Sequence, residues 1–262
     1  MGVVKRLSGR AKAGRGLTVF ADDTFIVSYP RSGNTWARFL ISHLIDGAQG
    51  PTDFLNIESR IPDIYQNSDA AMRKLRRPRI LKSHEYFDPR YKKVIYLVRN
   101  PLNVAVSYFH YMLKVRRIGD DCPIEDFVGR FLDGTLDTFG TWREHVGSWL
   151  GARRGRDDFL LMRYEDLRRD TERNLAVIAR FLDIETTRER LATAIDLASA
   201  GRMHELEDAQ AHLWRPLKKA RKDIPFVRSA TSEGGVTRAD LPQEAAAMIG
   251  ERWRDLMEDL GY

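Results

Sequence analysis

Arg31, Ser32, Gly33, Asn34 and Thr35 form a polar loop in "FIVSYPRSGNTWARFL", between an apolar run and a segment of helical periodicity. A strand, a short loop and a helix start make an anion site, because unpaired N–H groups and the helix dipole both favour negative charge there. Gly33 lets the backbone turn and brings its N–H groups close to an anion. Ser32, Asn34 and Thr35 add side-chain donors, and Arg31 adds a fixed positive charge. The loop therefore suits a phosphate. It is not the triphosphate type, which needs G-x-x-x-x-G-K-[ST].

A second stretch, "VIYLVRNPLNVAVSYFHYM", follows the same plan. Asn100 is a good helix N-cap and Pro101 suits the first helical position, so both have structural reasons to be there. Arg99 has no such reason, because it sits where a ligand would lie at the carboxyl end of a strand. Ser107 is two turns into the helix. An arginine with a nearby hydroxyl suits a terminal phosphate, through a forked charge-assisted contact and one neutral donor.

Three strand-turn-helix units must position these residues. They are Thr24–Tyr29 with a helix from about Thr35, Lys93–Val98 with a helix from Pro101, and Phe159–Met162 with a helix through Leu175, Ile178 and Leu182. "RILKSH", Arg79 to His84, adds another strand. Short apolar strands alternating with helices predict a parallel sheet covered on both faces, with ligands beyond the strands' carboxyl ends. Further helices are expected at Ile124–Leu132, Gly140–Leu150 and Pro242–Leu260. The expected architecture is one α/β domain over residues 21–262, preceded by a basic, loosely ordered stretch over 1–20.

The formal net charge of +6 over 262 residues and a pI near 9.4 favour an anionic partner. Nucleic acid, a membrane surface and a phosphorylated small molecule all fit that description. The longest apolar runs fall short of the ~18 residues of a transmembrane helix. The lone cysteine, Cys122, excludes an intramolecular disulfide framework and fits a reducing, cytoplasmic compartment.

Taken together, the motifs resemble the sulfotransferases that use 3′-phosphoadenosine 5′-phosphosulfate (PAPS). "YPRSGNTW" resembles their phosphosulfate loop, "RNPLNVAVSYFHYM" their 3′-phosphate segment, and "RYEDLRRDTERNLAVIARFLDI" the strand-turn-helix after it. "GTWREHVGSWL" resembles the family's Trp-rich helix. The resemblance runs from about residue 22 to the C-terminus, in the family's order.

This resemblance implies that Arg31, Ser32, Gly33, Asn34 and Thr35 hold the 5′-phosphosulfate, with Arg31 standing where lysine is usual. It places Trp36 against adenine, Arg99 and Ser107 on the 3′-phosphate, and Tyr164 near the nucleotide. "LKSHEYF" matches the family's Lys-Thr-His segment, which makes His84 the general base and Lys82, with Arg31, a stabiliser of the leaving phosphate. An unperturbed imidazole, with a pKa near ~6.5, accepts a proton at neutral pH. Of the other histidines, His43, His110 and His145 fall in helix patterns and read as structural, while His204 and His212 lie in a polar stretch. Phe226 and Arg228 match the loop that closes over the nucleotide, but Ser229 and Ala230 replace its usual Lys-Gly.

The implied reaction is sulfuryl transfer without a metal, leaving adenosine 3′,5′-bisphosphate (PAP). The acceptor is a small molecule, lipid or glycan, walled by residues 50–78, 112–140 and 200–235, among them Phe54, Ile61, Tyr65, Met112, Phe139 and Trp214. No specific nucleic-acid partner is expected. Two other readings are a nucleotide kinase or NTPase with related loop geometry, and a non-enzymatic nucleic-acid binder whose affinity would fall steeply with salt.

Overall fold

Strand β1 (Thr24–Ser28) is buried along its whole length, and its side chains alternate between two separate cores. Phe25 and Val27 join one, while Ile26 joins the other. This is the period-2 reading of a strand with both faces covered. In the computed structural model, which describes residues 12–45, 50–227 and 241–262, β2 (Ile80–Ser83), β3 (Lys93–Val98) and β4 (Phe159–Arg163) complete a sheet of order β2-β1-β3-β4. Every pairing is parallel, with Val27 opposite Ser83 and Tyr96. The single α/β domain with a parallel sheet is what the strand-turn-helix pattern predicts.

Helices α1 (Asn34–Ile45), α2 (Ile57–Arg60) and α3 (Asp69–Met72) precede β2, and α4 (Pro101–Lys114), α5 (Ile124–Leu132) and α6 (Trp142–Arg153) lie between β3 and β4. Then come α7 (Tyr164–Arg169), α8 (Thr171–Phe181), α9 (Arg188–Leu197), α10 (Ala200–Gln210) and α11 (Gln243–Asp259). One core takes buried residues from α4, α5, α6 and α11; the other takes them from α1, α8 and α9. Among the described residues, no helix is long and apolar enough to cross a membrane.

The strand order creates the site. β1 and β3 are neighbours, but the chain leaves β1 toward β2 and leaves β3 toward β4. Helix α1 covers one face and α4 the other. The two loops therefore diverge, opening a crevice at the carboxyl ends of β1 and β3. Asn100 caps α4 as predicted, accepting from Leu102 N at 2.9 Å, with Pro101 first in the helix. Thr141 and Glu144 form a capping box on α6.

Of the stretch expected to be loosely ordered, residues 1–11 lie outside the described residues, while 12–20 pack on the domain. Leu17 is buried, Thr18 is bonded through its N–H and hydroxyl to Asp69, and Lys12 bridges Ser68. Arg79 holds this corner. Its guanidinium meets Asp23 at 2.8 and 2.5 Å, both side chains being fully buried, and also donates to the carbonyls of Thr18 and Met72. Removing one partner of such a pair leaves an uncompensated charge. Arg79→Ala should therefore lower the unfolding free energy by about 3–5 kcal/mol in urea titration; a loss under about 1 kcal/mol would mean water reaches Asp23.

Candidate active site

After β1 the chain runs through Tyr29 and Pro30 into the polar loop, and α1 starts at Asn34. The first helical bond there is Ala37 N to Gly33 O at 3.1 Å. The backbone N–H groups of Ser32 through Trp36 make no hydrogen bond among the described residues. Such a run of donors at a helix start attracts an anion. The Ser32 hydroxyl is buried and likewise unpartnered. Gly33 has φ +88°, and a Cβ there would sit 2.3 Å from the Tyr164 ring. A side chain there would collide with Tyr164, first in α7, whose ring occupies that space.

Asn34 departs from its expected role. Its amide nitrogen donates to Ile26 O and Ser28 Oγ, each at 3.2 Å. That amide ties the loop back to β1, so the backbone N–H is the Asn34 donor left for an anion, while Oδ1 is buried without a partner among the described residues. Thr35 and Trp36 line the cavity. The Trp36 indole donates to Ala198 O at 3.0 Å and meets Tyr164 edge-on.

Arg31 has φ 67°, a conformation uncommon outside glycine. Its guanidinium makes no hydrogen bond to its own loop. Nε donates to Ser107 Oγ at 3.2 Å and Nη2 to Phe226 O at 3.4 Å. The group lies over the rings of Tyr111 and Phe226, at 4.7 and 4.8 Å, which meet each other edge-on. Burial lowers its pKa to about 10, and the nearby Arg99 charge pushes the same way. Arg99 donates to Arg31 O at 3.0 Å and lies 4.5 Å over the Tyr164 ring. Its Nε is buried without a partner among the described residues. The loops after β1, β3 and β4 thus converge through Gly33, Arg99 and Tyr164.

His84 follows β2 directly. Its Nδ1 lies 2.6 Å from Ser28 O; a carbonyl accepts only, so Nδ1 carries the proton and Nε2 is the open acceptor. Nε2 makes no hydrogen bond among the described residues, and His84 lines the cavity. Burial and the Lys82 charge hold this imidazole well below the usual histidine range, against the opposing effect of Ser28 O. It is neutral at physiological pH.

The support for His84 comes from residues that local patterns do not reveal. His145 on α6 donates from Nε2 to His84 O at 2.9 Å and accepts from Tyr96 OH at 2.8 Å. Trp149 donates to Glu85 O at 3.0 Å. Tyr65 OH donates to Glu85 Oε1 at 2.9 Å and accepts, at 3.3 Å, from His84 N. Lys82 is buried and paired with Asp63 at 2.9 Å. Burial lowers its pKa, opposed by Asp63. Asp63 passes unnoticed in the sequence because nothing in the spacing of 63 and 82 signals contact.

These groups surround one cavity of about 520 Å³. Arg31, Gly33, Asn34, Thr35, Trp36, Lys82, His84, Arg99, Ser107, Tyr164 and Phe226 all line it, as do Tyr65, Phe139 and Trp214 from the expected acceptor walls. Phe54, Ile61 and Met112 belong instead to the cores. Arg228 lies outside the described residues.

The profile of the sulfotransferase domain family matches residues 21–261. The chain belongs to that family. An amine sulfotransferase of rabbit (Oryctolagus cuniculus) is 28% identical over 199 residues, covering 72% of this chain and 65% of the relative. Sulfotransferase 1B1 of dog (Canis lupus familiaris) is 30% identical over 177 residues, covering 62% and 59%. The chain thus spans less than two thirds of the length of these curated relatives. A structure of retinol dehydratase in complex with androsterone and the inactive cofactor PAP superposes with a TM-score of 0.77, over 94% of this chain and 84% of that one. At 18% identity the likeness is one of fold.

In this sulfotransferase-family chain burial holds His43, His84 and His145 below the usual histidine range, which makes stability depend on pH. Burial lowers His145 and His43 to about 4 each, against ~6.5 in an unfolded chain. Between those values the unfolded chain binds protons that the native one refuses, so stability falls as pH falls. Asp137, raised to about 6 by burial, opposes this in part. His145 alone should contribute a loss of about 3 kcal/mol between pH 6.5 and 4. Urea titrations should show a flatter acid limb for His145→Gln than for the wild type; parallel limbs would mean that His145 protonates in the native state.

Proposed function

We propose that the protein transfers the sulfuryl group of PAPS to a hydroxyl on a small hydrophobic acceptor. The observation that carries this is the position of a neutral imidazole, His84, in the same cavity as the unpartnered loop amides and the Arg99–Ser107 pair. The fit to the donor rests on this chain's own unsatisfied atoms: among the described residues, Ser32 Oγ and Arg99 Nε are buried without partners and a row of loop N–H groups meets no protein acceptor.

PAPS supplies a sulfuryl group on an already good leaving phosphate. His84 Nε2 takes the acceptor's hydroxyl proton as that oxygen bonds to sulfur, while the bond from sulfur to the bridging oxygen breaks. Ser28 O holds the imidazole in the required tautomer throughout. The charge left on the departing phosphate meets the loop N–H groups, Ser32 and Thr35. Lys82 adds the ammonium protons that Asp63 does not use. Arg99 and Ser107 hold the 3′-phosphate, and Trp36 and Tyr164 flank the base. Phe226 closes the cavity beside Ser107, and Arg228 is assigned to the same nucleotide.

Tyr65, Phe139 and Trp214 favour a flat, largely apolar acceptor, in keeping with androsterone in the related fold. An amine acceptor, as in the name of the rabbit relative, would use the same base. The lone cysteine supports a cytoplasmic setting.

PAP should raise the melting temperature by about 5 °C more than AMP at equal millimolar concentration, because a 3′-phosphate ligand pair adds roughly hundredfold affinity. Equal shifts would remove the 3′-phosphate assignment. His84→Ala should keep the PAP shift while turnover with labelled PAPS and a responsive phenol or sterol falls about 10²–10⁴-fold. Near-normal turnover in that variant would dismiss His84 as the base.

A further inference from the structure

Five lysines and arginines are buried in the described structure, and each has a carboxylate within reach. Arg38 meets Glu58, Arg79 meets Asp23, Lys82 meets Asp63, Lys114 meets Glu207 and Arg153 meets Asp158, all at 3.0 Å or less. That is the general rule for charge taken out of water. Arg31 and Arg99, half-buried at the cavity wall, have no such carboxylate among the described residues. Both line the cavity and make no ion pair among the described residues, and the carbonyl of one accepts from the guanidinium of the other.

We infer that Arg31 is a ligand of the nucleotide's 3′-phosphate, acting with Arg99 and Ser107, and not the group that neutralises the bridging oxygen of the leaving phosphate. This rests on the PAPS reading above. The bond from Arg31 Nε to Ser107 Oγ uses the hydroxyl as an acceptor and leaves its O–H to donate to an anion. A phosphate beside Ser107 then receives that O–H, N–H groups from the Arg31 fork and the unpartnered Nε of Arg99. The Tyr111 and Phe226 rings, set at 62° to each other, border the Arg31 guanidinium on two adjoining sides, confining a planar fork where bidentate phosphate recognition needs it. The left-handed backbone at residue 31 belongs to the same device, since strained conformations persist where a site requires them. A lysine lacks both the fork and the stacking surface.

Calorimetric titration of the full chain with PAP and AMP tests this. Arg31→Lys should weaken PAP binding about tenfold or more, the worth of one charge-assisted bond, and leave AMP within about twofold. Ser107→Ala in that background should add less than it does alone, because the two residues share one contact. Equal losses for PAP and AMP would put Arg31 at the 5′ end and overturn the inference. Unchanged or tighter PAP binding would also overturn it, making Arg31 a structural plug. Arg31→Gln, which keeps a planar polar end without charge, should show the same selective loss if Arg31→Lys folds poorly. A wild type that binds PAP no better than AMP would instead refute the PAPS reading itself.

Discussion

Ser28, the last residue of β1, holds His84 and the polar loop in one frame. Its carbonyl receives His84 Nδ1–H at 2.6 Å, and its hydroxyl receives the Asn34 amide at 3.2 Å. The first contact sets the tautomer and direction of the imidazole; the second anchors the start of α1 and the row of N–H groups before it. The second contact is buried and the first partly so, and both reach back to a strand with no solvent-facing side. A shift of β1 therefore moves loop and imidazole together, preserving their separation. Reactions that depend on placement to within fractions of an ångström need such a common reference.

A second layer keeps that frame rigid from behind. Tyr96 on β3, His145 on α6 and the carbonyl of His84 form a chain of hydrogen bonds in a dry interior, where such bonds are strong and unmatched ones costly. Each imidazole is kept neutral by burial. In His145 the result is a fixed donor and acceptor; in His84 it is one committed nitrogen and one open one. The same physical effect thus commits one histidine wholly to its neighbours and leaves the other with a nitrogen at the cavity wall.

Much of this was legible in the sequence. The strand-turn-helix units, the sheet class and the polar turns at the strand ends follow from period and punctuation, which are local. Gly33, Asn100 and Pro101 were readable for the same reason. Pairings across the fold were not. The engagement of the Asn34 side chain with Ile26 and Ser28, the Asp63 partner of Lys82 and the Tyr111 and Phe226 rings beside Arg31 depend on where distant elements meet. Helices α9 and α10 escaped because "RERLATAIDL" and "AGRMHELEDAQ" bury only two residues each and carry little apolar periodicity. His145 sat in a recognised helix motif, yet its bond to the His84 carbonyl spans 61 residues.

The contact between Gly33 and Tyr164 has an evolutionary consequence. The ring occupies the space that any side chain at position 33 would need, although the two residues follow strands that are not neighbours in the sheet. Neither position can drift by itself. A larger residue at 33 requires a smaller one at 164, and that exchange would strip away the surface on which Arg99 lies. The three positions therefore form one heritable unit, and among descendants of this chain they should change together or not at all.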